Sequence, residues 1–390
     1  MKALFIANGI GIEKGKPGIS GGDIRWIEIA KKWRDNMDIE IHVLTQDAGI
    51  DLCERVGLNA EFHRMEMPSE YSVSGYLLRA LNSFRLPKEL TKFEGIIYAS
   101  TEHWYDVIPG ALIKRKNPRS KFVVVAHWVA PLIRTGTSLI NSILFYINQR
   151  MGYFVGKRYA DLFLAVSEPT GNDLKRIGIP ESKIKVVEAG VDYDEIRRIA
   201  SQVKEKEFDG VFMKRFDGTK GVFDVVEIWD YVVSEIPNAK LILIGHGTKA
   251  NINKLEKMIK EKNLEENVRI LGPIYDFEKK FRILAKSKVF LLPSYEENWA
   301  IVIGEAMAAG LPVVCYNLPE IQPIWEDNVI WVPKGDKTAF AQKVIEFLTD
   351  ERLREKFITK GIEFVKQYDW GEIAKKEIML ITLGGKNYEV

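Results

Sequence analysis

Short runs of β-branched and other apolar residues recur along the chain, each followed by a stretch with helical spacing. The first series is KALFIA, IEIHVLT, GIIYAS, KFVVVAH, LFLAVS and KIKVVEA, and it restarts as GVFMKR, KLILIG, VRILG, KVFLLP, LPVVCY and NVIWVP. A strand that is apolar at nearly every position is buried on both faces, and strands separated by helices pair in parallel through βαβ crossovers. Two such series predict an α/β chain of two Rossmann-like, doubly wound parallel-sheet domains. The length of 390 residues agrees, because a domain usually holds about 100 to 200 residues. The join is expected near EAGVDYDEIRRIASQ, so that residues 1–190 form the first domain and 191–368 the second. The last segment, about 369–390, serves no strand of its own and is expected to be a helix packing back onto the first domain.

The charge balance argues against a nucleic-acid partner: 56 Lys and Arg face 54 Asp and Glu, a formal net charge of +2. Its distribution is uneven. Residues 1–190 carry 26 basic and 21 acidic side chains, the remainder 30 and 33, and nine Lys or Arg with no acid lie between Asp106 and Asp161. Within that span LFYINQRMGYFV supplies aromatic and aliphatic groups. Residues 107–160 are therefore expected either to meet an anionic membrane surface or to form a core helix with a solvated basic face. The longest apolar stretch, SLINSILFYINQRMGYFV, is interrupted by Asn141, Asn148, Gln149 and Arg150, which argues against a membrane span. The N-terminal run ALFIA is too short for the core of a signal peptide. Cys53 and Cys315 sit in different halves, the second inside a strand, so a reducing cytoplasmic setting is expected, with a peripheral place on the inner membrane face as the membrane alternative.

Four stretches carry candidate chemistry. In EENWAIVIGEAMAAGLPVV, residues 296–314, Glu297 and Glu305 flank a helix expected from about Trp299 to Gly310. Ligands in parallel sheets bind outside the carboxyl ends of the strands, where helix N-termini point N–H groups at anions. Glu297 then lies in that crevice, and Glu305, on a similar side two turns deeper, suits a vicinal diol. A helix whose Glu305 merely pairs with a nearby cation is the competing reading. In KRFDGTKG, residues 214–221, Arg215 and Lys220 flank a tight turn before a helix, a place for a diphosphate if they are not simply solvated. In KPGISGG, Gly21 and Gly22 let backbone approach a ligand, or serve only a turn. His127 ends the strand-like KFVVVAH, where parallel strands deliver functional groups.

Together these motifs resemble the retaining glycosyltransferases of family 4, which have the GT-B fold of two facing Rossmann-like domains. The signature PS, two residues, E, seven residues, EA is similar to PSYEENWAIVIGEA, with AAGLPVV following. The phosphate-binding Arg and Lys of that family, four residues apart and followed by Gly, resemble Arg215, Lys220 and Gly221; GVD recurs at Gly190 to Asp192. The resemblance implies that Arg215 and Lys220 hold the donor diphosphate, with N–H groups near Ile301 and Val302. It also implies that Glu305 holds the ribose, that Glu297 contacts the transferred sugar and that His127 faces the sugar from the first domain. The expected reaction is metal-independent, retaining transfer of a hexose from a nucleoside-diphosphate sugar, UDP or GDP, to a hydroxyl of a glycan or lipid-linked acceptor. No prosthetic group is implied. The chain departs from the family pattern where Asn298, Trp299 and Ala300 replace the frequent Gly-Phe-Gly, and where Lys214 replaces a glycine.

Two other readings stay open. LILIGHGTKA sets Gly245, Gly247 and Ala250 in dinucleotide spacing after a strand, as in a nicotinamide-dependent oxidoreductase, although Glu265 and Glu266 precede the next strand instead of ending it. A non-catalytic nucleotide-sugar-binding protein would keep the same pocket. Asp192-Tyr193-Asp194 has the Asp-any-Asp form of metal-dependent transferases, but its place at the join argues for a linker.

Overall fold

The computed structural model describes every residue except 11, 14, 15, 18, 19, 69–72, 134–138 and 384–390. Gly18 and Ile19 of the glycine-rich loop, part of the basic span and the end of the C-terminal segment thus lie outside the described residues. The chain divides into two compact units, Met1–Ala189 with Trp370–Val390, and Gly190–Asp369.

The first unit holds a parallel sheet of β1 (Lys2–Ile6), β4 (Glu40–Thr45), β5 (Glu61–Arg64), β6 (Ile96–Ala99), β7 (Lys121–Ala126), β8 (Leu162–Ala165) and β9 (Ile184–Val186), in the order β5-β4-β1-β6-β7-β8-β9. Two-residue strands β2 (Ile12–Glu13) and β3 (Lys16–Pro17) form a small antiparallel pair. Ala3 to Ile6 of β1 are fully buried, as the unbroken apolar run requires. The chain winds outward from β1 to β5, then returns to β6 on the other side of β1. That reversal creates a crevice at the carboxyl ends of β1 and β6. β5 is the one strand of this sheet that hydrophobic patterning overlooks, because Glu61-Phe62-His63-Arg64 contains a single apolar residue.

The helix Gly21–Met37 begins with a capping box, Ser20 Oγ accepting from Asp23 N at 3.2 Å and Ser20 N donating to Asp23 Oδ2 at 2.9 Å. Its face of Trp26, Ile27, Ala30 and Trp33 is buried. Against it lies the helix Trp370–Thr382. Trp33 Nε1 donates to Ala374 O at 3.1 Å, and the buried Arg25 donates to Glu377 Oε2 at 2.6 Å, Tyr98 Oη at 2.7 Å and Val187 O at 3.1 Å. Glu377 is fully buried, and its charge outweighs the burial penalty on the guanidinium, whose pKa is raised.

The second unit holds β10 (Phe208–Met213), β11 (Leu241–Ile244), β12 (Val268–Gly272), β13 (Ser287–Leu292), β14 (Val313–Tyr316) and β15 (Ile330–Val332), parallel in the order β12-β11-β10-β13-β14-β15. Phe212, Trp229, Leu243, Leu291 and Phe340 are among its core residues. Here the strand order reverses between β10 and β13. The chain enters and leaves this unit side by side, with Val191 N donating to Tyr368 O at 2.8 Å and Val191 bridging Asp369 in parallel. Both units are therefore doubly wound, as the alternation of strands and helices predicts. No helix among the described residues is long and apolar enough to cross a membrane.

Candidate active site

The crevice at the carboxyl ends of β10 and β13 is built by two loops that hold each other. After β10, Asp217 Oδ1 accepts from Thr219 N at 2.9 Å and from Lys220 N at 3.1 Å, closing a tight turn over Gly218–Lys220. Gly221 follows with φ +74, and a Cβ there would sit 1.8 Å from Pro293 O. Only glycine meets both demands. The loop after β13 answers with Tyr295 N donating to Thr219 O at 2.8 Å. Glycines of the dinucleotide-like GHGTKA serve the same support: Cβ atoms at Gly245 and Gly247 would lie 1.9 Å from Lys214 O and 2.5 Å from Phe216 O. Asn251 Nδ2 also donates to Phe216 O, at 2.8 Å.

Glu297 sits at the centre of the crevice, 8% exposed. Lys214 Nζ lies 2.9 Å and Lys220 Nζ 3.2 Å from its Oε1, and Lys214 also donates to Oε2 at 3.0 Å. Lys220 further donates to Glu296 O at 2.5 Å. Burial alone would raise the Glu297 pKa, but the two ammonium groups prevail and hold it down at about 2. Burial lowers that of Lys220, partly offset by Glu297. Glu297 is thus an anion throughout the neutral range, unable to donate a proton and weak as a base. Lys214 joins this cluster although the sequence marked it only as a departure from the family pattern.

The other candidates of the second unit are spread around this centre. Arg215 projects outward, 60% exposed, with Nε 3.6 Å from Asp217 Oδ2. The helix expected from Trp299 runs from Ile301 to Ala308, because Ala300 adopts φ 60, ψ 60 just before it. Trp299 is buried edge-on against Trp325 and Tyr368, with ring centroids 4.7 Å and 5.3 Å away, and anchors that turn. Ile301 and Val302 open the helix, where the first N–H groups have no intrahelical acceptor. Glu305 is paired with Lys280 at 2.9 Å, as the competing reading of the helix expected, and Lys280 Nζ lies 4.3 Å from the Phe281 ring centroid.

In the first unit, His127 follows β7 and meets the glycine loop: a Cβ on Gly22 would lie 3.1 Å from its Cε1 and Nε2. Gly21 precedes it at the exposed helix start. His127 Nε2 is 3.0 Å from Ser100 O. A carbonyl only accepts, so Nε2 carries the hydrogen and Nδ1 a lone pair. Burial and Arg25 push the pKa of the ring down to about 4, which keeps it neutral at pH 7. Glu102, buried at the end of β6, accepts from His127 N at 3.0 Å and from Gln149 Nε2 at 2.8 Å. Burial pushes Glu102 up to about 7 and Asp106, which accepts from Asn8 N at 2.7 Å, up to about 8. Sequence reasoning missed both acids; their one signal was a place directly after the strand GIIYAS.

Two family models match the chain in tandem: Glycosyltransferase Family 4 over residues 19–195 and Glycosyl transferases group 1 over residues 194–364. Each model covers a little under half of the chain, and together they span residues 19–364 of a glycosyltransferase. Among curated relatives, this glycosyltransferase is 29% identical over 170 residues to the phosphatidyl-myo-inositol mannosyltransferase of Mycobacterium leprae, covering 43% of this chain and 44% of that protein. It is 26% identical over 364 residues to the N-acetyl-alpha-D-glucosaminyl L-malate synthase of Bacillus anthracis, covering 90% of each. Among solved structures, Anabaena Alr3699/HepE in complex with UDP and glucose superposes with a TM-score of 0.74 at 21% identity over 99% of this chain and 100% of that one. WaaG, a glycosyltransferase of lipopolysaccharide biosynthesis, gives 0.67 at 15% identity over 97% and 99%. The glycosyltransferase thus has the GT-B fold of these neighbours.

Proposed function

We propose that the enzyme transfers a hexose-type sugar from a UDP or GDP donor to a hydroxyl of a glycan or lipid-linked acceptor, with retention and without a metal ion. The observation that carries this reading is the buried Glu297, ionised at neutral pH and gripped by Lys214 and Lys220, where strand order reverses and beside the start of the helix Ile301–Ala308. Glu297 cannot protonate a leaving group, so the charge that grows on the departing diphosphate is met by Lys220, Arg215 and N–H groups near Ile301 and Val302. The C1–O bond to the diphosphate breaks, the acceptor oxygen bonds to C1 from the same face, and its proton passes to the departing phosphate. Glu297 accepts hydrogen bonds from sugar hydroxyls. Glu305 exchanges Lys280 for the ribose diol. The named relatives, which include a mannosyltransferase and a structure bound to UDP and glucose, support a sugar-nucleotide donor.

Lys220→Ala should lower turnover by about two to three orders of magnitude, as loss of one preorganised donor does; near-normal turnover would sink the role. Thermal stabilisation by a panel of UDP, GDP, ADP, their sugars and NAD, repeated on Glu305→Ala, names the base. A shift with NAD alone would favour the oxidoreductase instead. Transfer that appears only when manganese is added would end the metal-free reading.

The acceptor reading rests on the helix Leu139–Tyr159, which turns Ser142, Asn148 and Gln149 inward and several of its large apolar residues outward. Gln149 and Asn148 are buried, the latter accepting from Trp104 N at 3.0 Å, while Leu139, Ile140 and Phe154 are 58%, 62% and 74% exposed. Leu77, Leu81 and Phe84 add exposed apolar surface. Such a face beside Arg150, Lys157 and Arg158 suits an anionic bilayer surface holding a lipid acceptor. Retention on anionic vesicles at low salt, lost in Ile140→Glu/Phe154→Glu, is expected; equal retention of both proteins would refute it.

A further inference from the structure

The edge of the first unit's sheet carries a second cluster, outside the crevice already described. His42 on β4 and His63 on β5 are 5% and 6% exposed. Register sets His42 opposite Glu61 and Leu44 opposite His63, so Glu40, His42, Glu61 and His63 share one face of the sheet. The rings stack at 5.4 Å, with His42 Nδ1 3.1 Å from His63 Nε2. Glu61 reaches both, its Oε2 3.6 Å from His42 Nδ1 and its Oε1 3.6 Å from His63 Nε2. The outer nitrogens face other carboxylates: His42 Nε2 is 2.9 Å from Glu40 Oε1, and His63 Nδ1 is 3.4 Å from Glu89 Oε1.

Hydrogen accounting gives this arrangement its meaning. An ionised carboxylate only accepts, so in neutral rings each outer nitrogen carries the hydrogen and each inner nitrogen a lone pair. Two lone pairs and a carboxylate then converge on one point. Among the described residues Lys2, 2.8 Å from Glu40, is the one cation paired with the cluster; against Glu40, Glu61 and Glu89 it leaves a charge of −2. Tetrahedral zinc with bonds of about 2.0–2.1 Å separates its ligands by about 3.3 Å, close to the 3.1, 3.6 and 3.6 Å found here. Carboxylates behind both histidines are the outer shell that fixes ligand tautomers at metal sites.

We propose that His42 Nδ1, His63 Nε2 and Glu61 bind one divalent transition-metal ion of the zinc class. Two imidazoles and one carboxylate suit zinc, cobalt or nickel, whereas magnesium and calcium take oxygen ligands. Glu61, 62% exposed, leaves the solvent side open for entry and for a fourth ligand. The ion joins β4 to β5 and fastens the sheet's edge.

The test uses the full chain without a histidine tag, cleared with EDTA and then titrated with Co2+ alone. The expected result is one equivalent of cobalt with the strong visible absorption of a low-coordinate site, displaced by Zn2+. His63→Gln should abolish it, and Glu61→Ala should weaken binding at least tenfold. Zn2+ should raise the melting temperature of wild type but not of His63→Gln. Should His63→Gln not fold, the exposed Glu61→Ala still decides the matter. No saturable cobalt binding, as expected if the rings share a proton instead, overturns the proposal; so does binding unchanged in Glu61→Ala.

Discussion

Replacing Glu297 by Gln keeps the volume of the side chain and deletes the charge that Lys214 and Lys220 surround. The depression of its carboxyl from 4.5 to about 2 corresponds to about 3 kcal/mol of stability at neutral pH, at about 1.36 kcal/mol per unit. A folded-state pKa below the unfolded one gives stability that is present above about pH 4.5 and lost as pH falls through about 2. Between pH 7 and pH 3, linkage removes about 2 kcal/mol of it. Glu297→Gln should therefore be less stable than wild type by about 2 to 3 kcal/mol at pH 7, and by about 1 kcal/mol at pH 3. Urea unfolding followed by circular dichroism reads this directly. With a slope of about 2 kcal/mol/M, the midpoints should differ by about 1 M at pH 7 and by less than half of that at pH 3. Other acids titrate alike in both proteins and cancel in the difference. A gap equal at both pH values, or absent at pH 7, would refute the account of Glu297 as the anion that two lysines share.

The Arg25–Glu377 pair is almost wholly buried, so Glu377→Ala leaves an uncompensated guanidinium and should cost about 3 to 5 kcal/mol; thermal melting should show it, with Glu377→Gln recovering part. Burial holds Glu102 near 7 and Asp106 near 8. Raised acids lose their stabilising contribution as pH rises, so chemical denaturation should show the first unit weakening from pH 6.5 to 8 and Glu102→Gln flattening that slope; His127, depressed to about 4, acts with the opposite sign only below about pH 6.5. Ala300→Gly should relieve a left-handed residue at φ 60 and raise stability by about 1 kcal/mol; a lower melting temperature would show that the buried Cβ contributes more than the strain costs.

Most of both sheets was legible because their strands are apolar at consecutive positions and cannot be read otherwise. β5 was not, since an edge strand needs no second apolar face and Glu61-Phe62-His63-Arg64 looks like a loop. The crevice residues Glu297 and Lys220 were legible through spacing alone. Lys214 was not, because its value lies in the 83 residues that separate it from Glu297, a distance that only the return of β13 to the side of β10 removes. Gln149 and Asn148 were read as breaks in an apolar helix, which they are in sequence; folding turns them inward onto Glu102 and the Trp104 backbone. The glycines of GHGTKA show the converse case, a ligand-like spacing that is used for packing against Lys214 and Phe216.

The contact between Arg25 and Glu377 spans 352 positions, and this sets an order on the birth of the molecule. During synthesis the second unit emerges as one uninterrupted segment, able to complete its own sheet. The first unit, begun earlier, holds the Arg25 guanidinium, whose counter-charge and covering helix leave the ribosome only after the whole second unit. Contacts of such long range form late. The half made first is therefore finished last, and a chain released before Glu377 emerges leaves it without its closing helix.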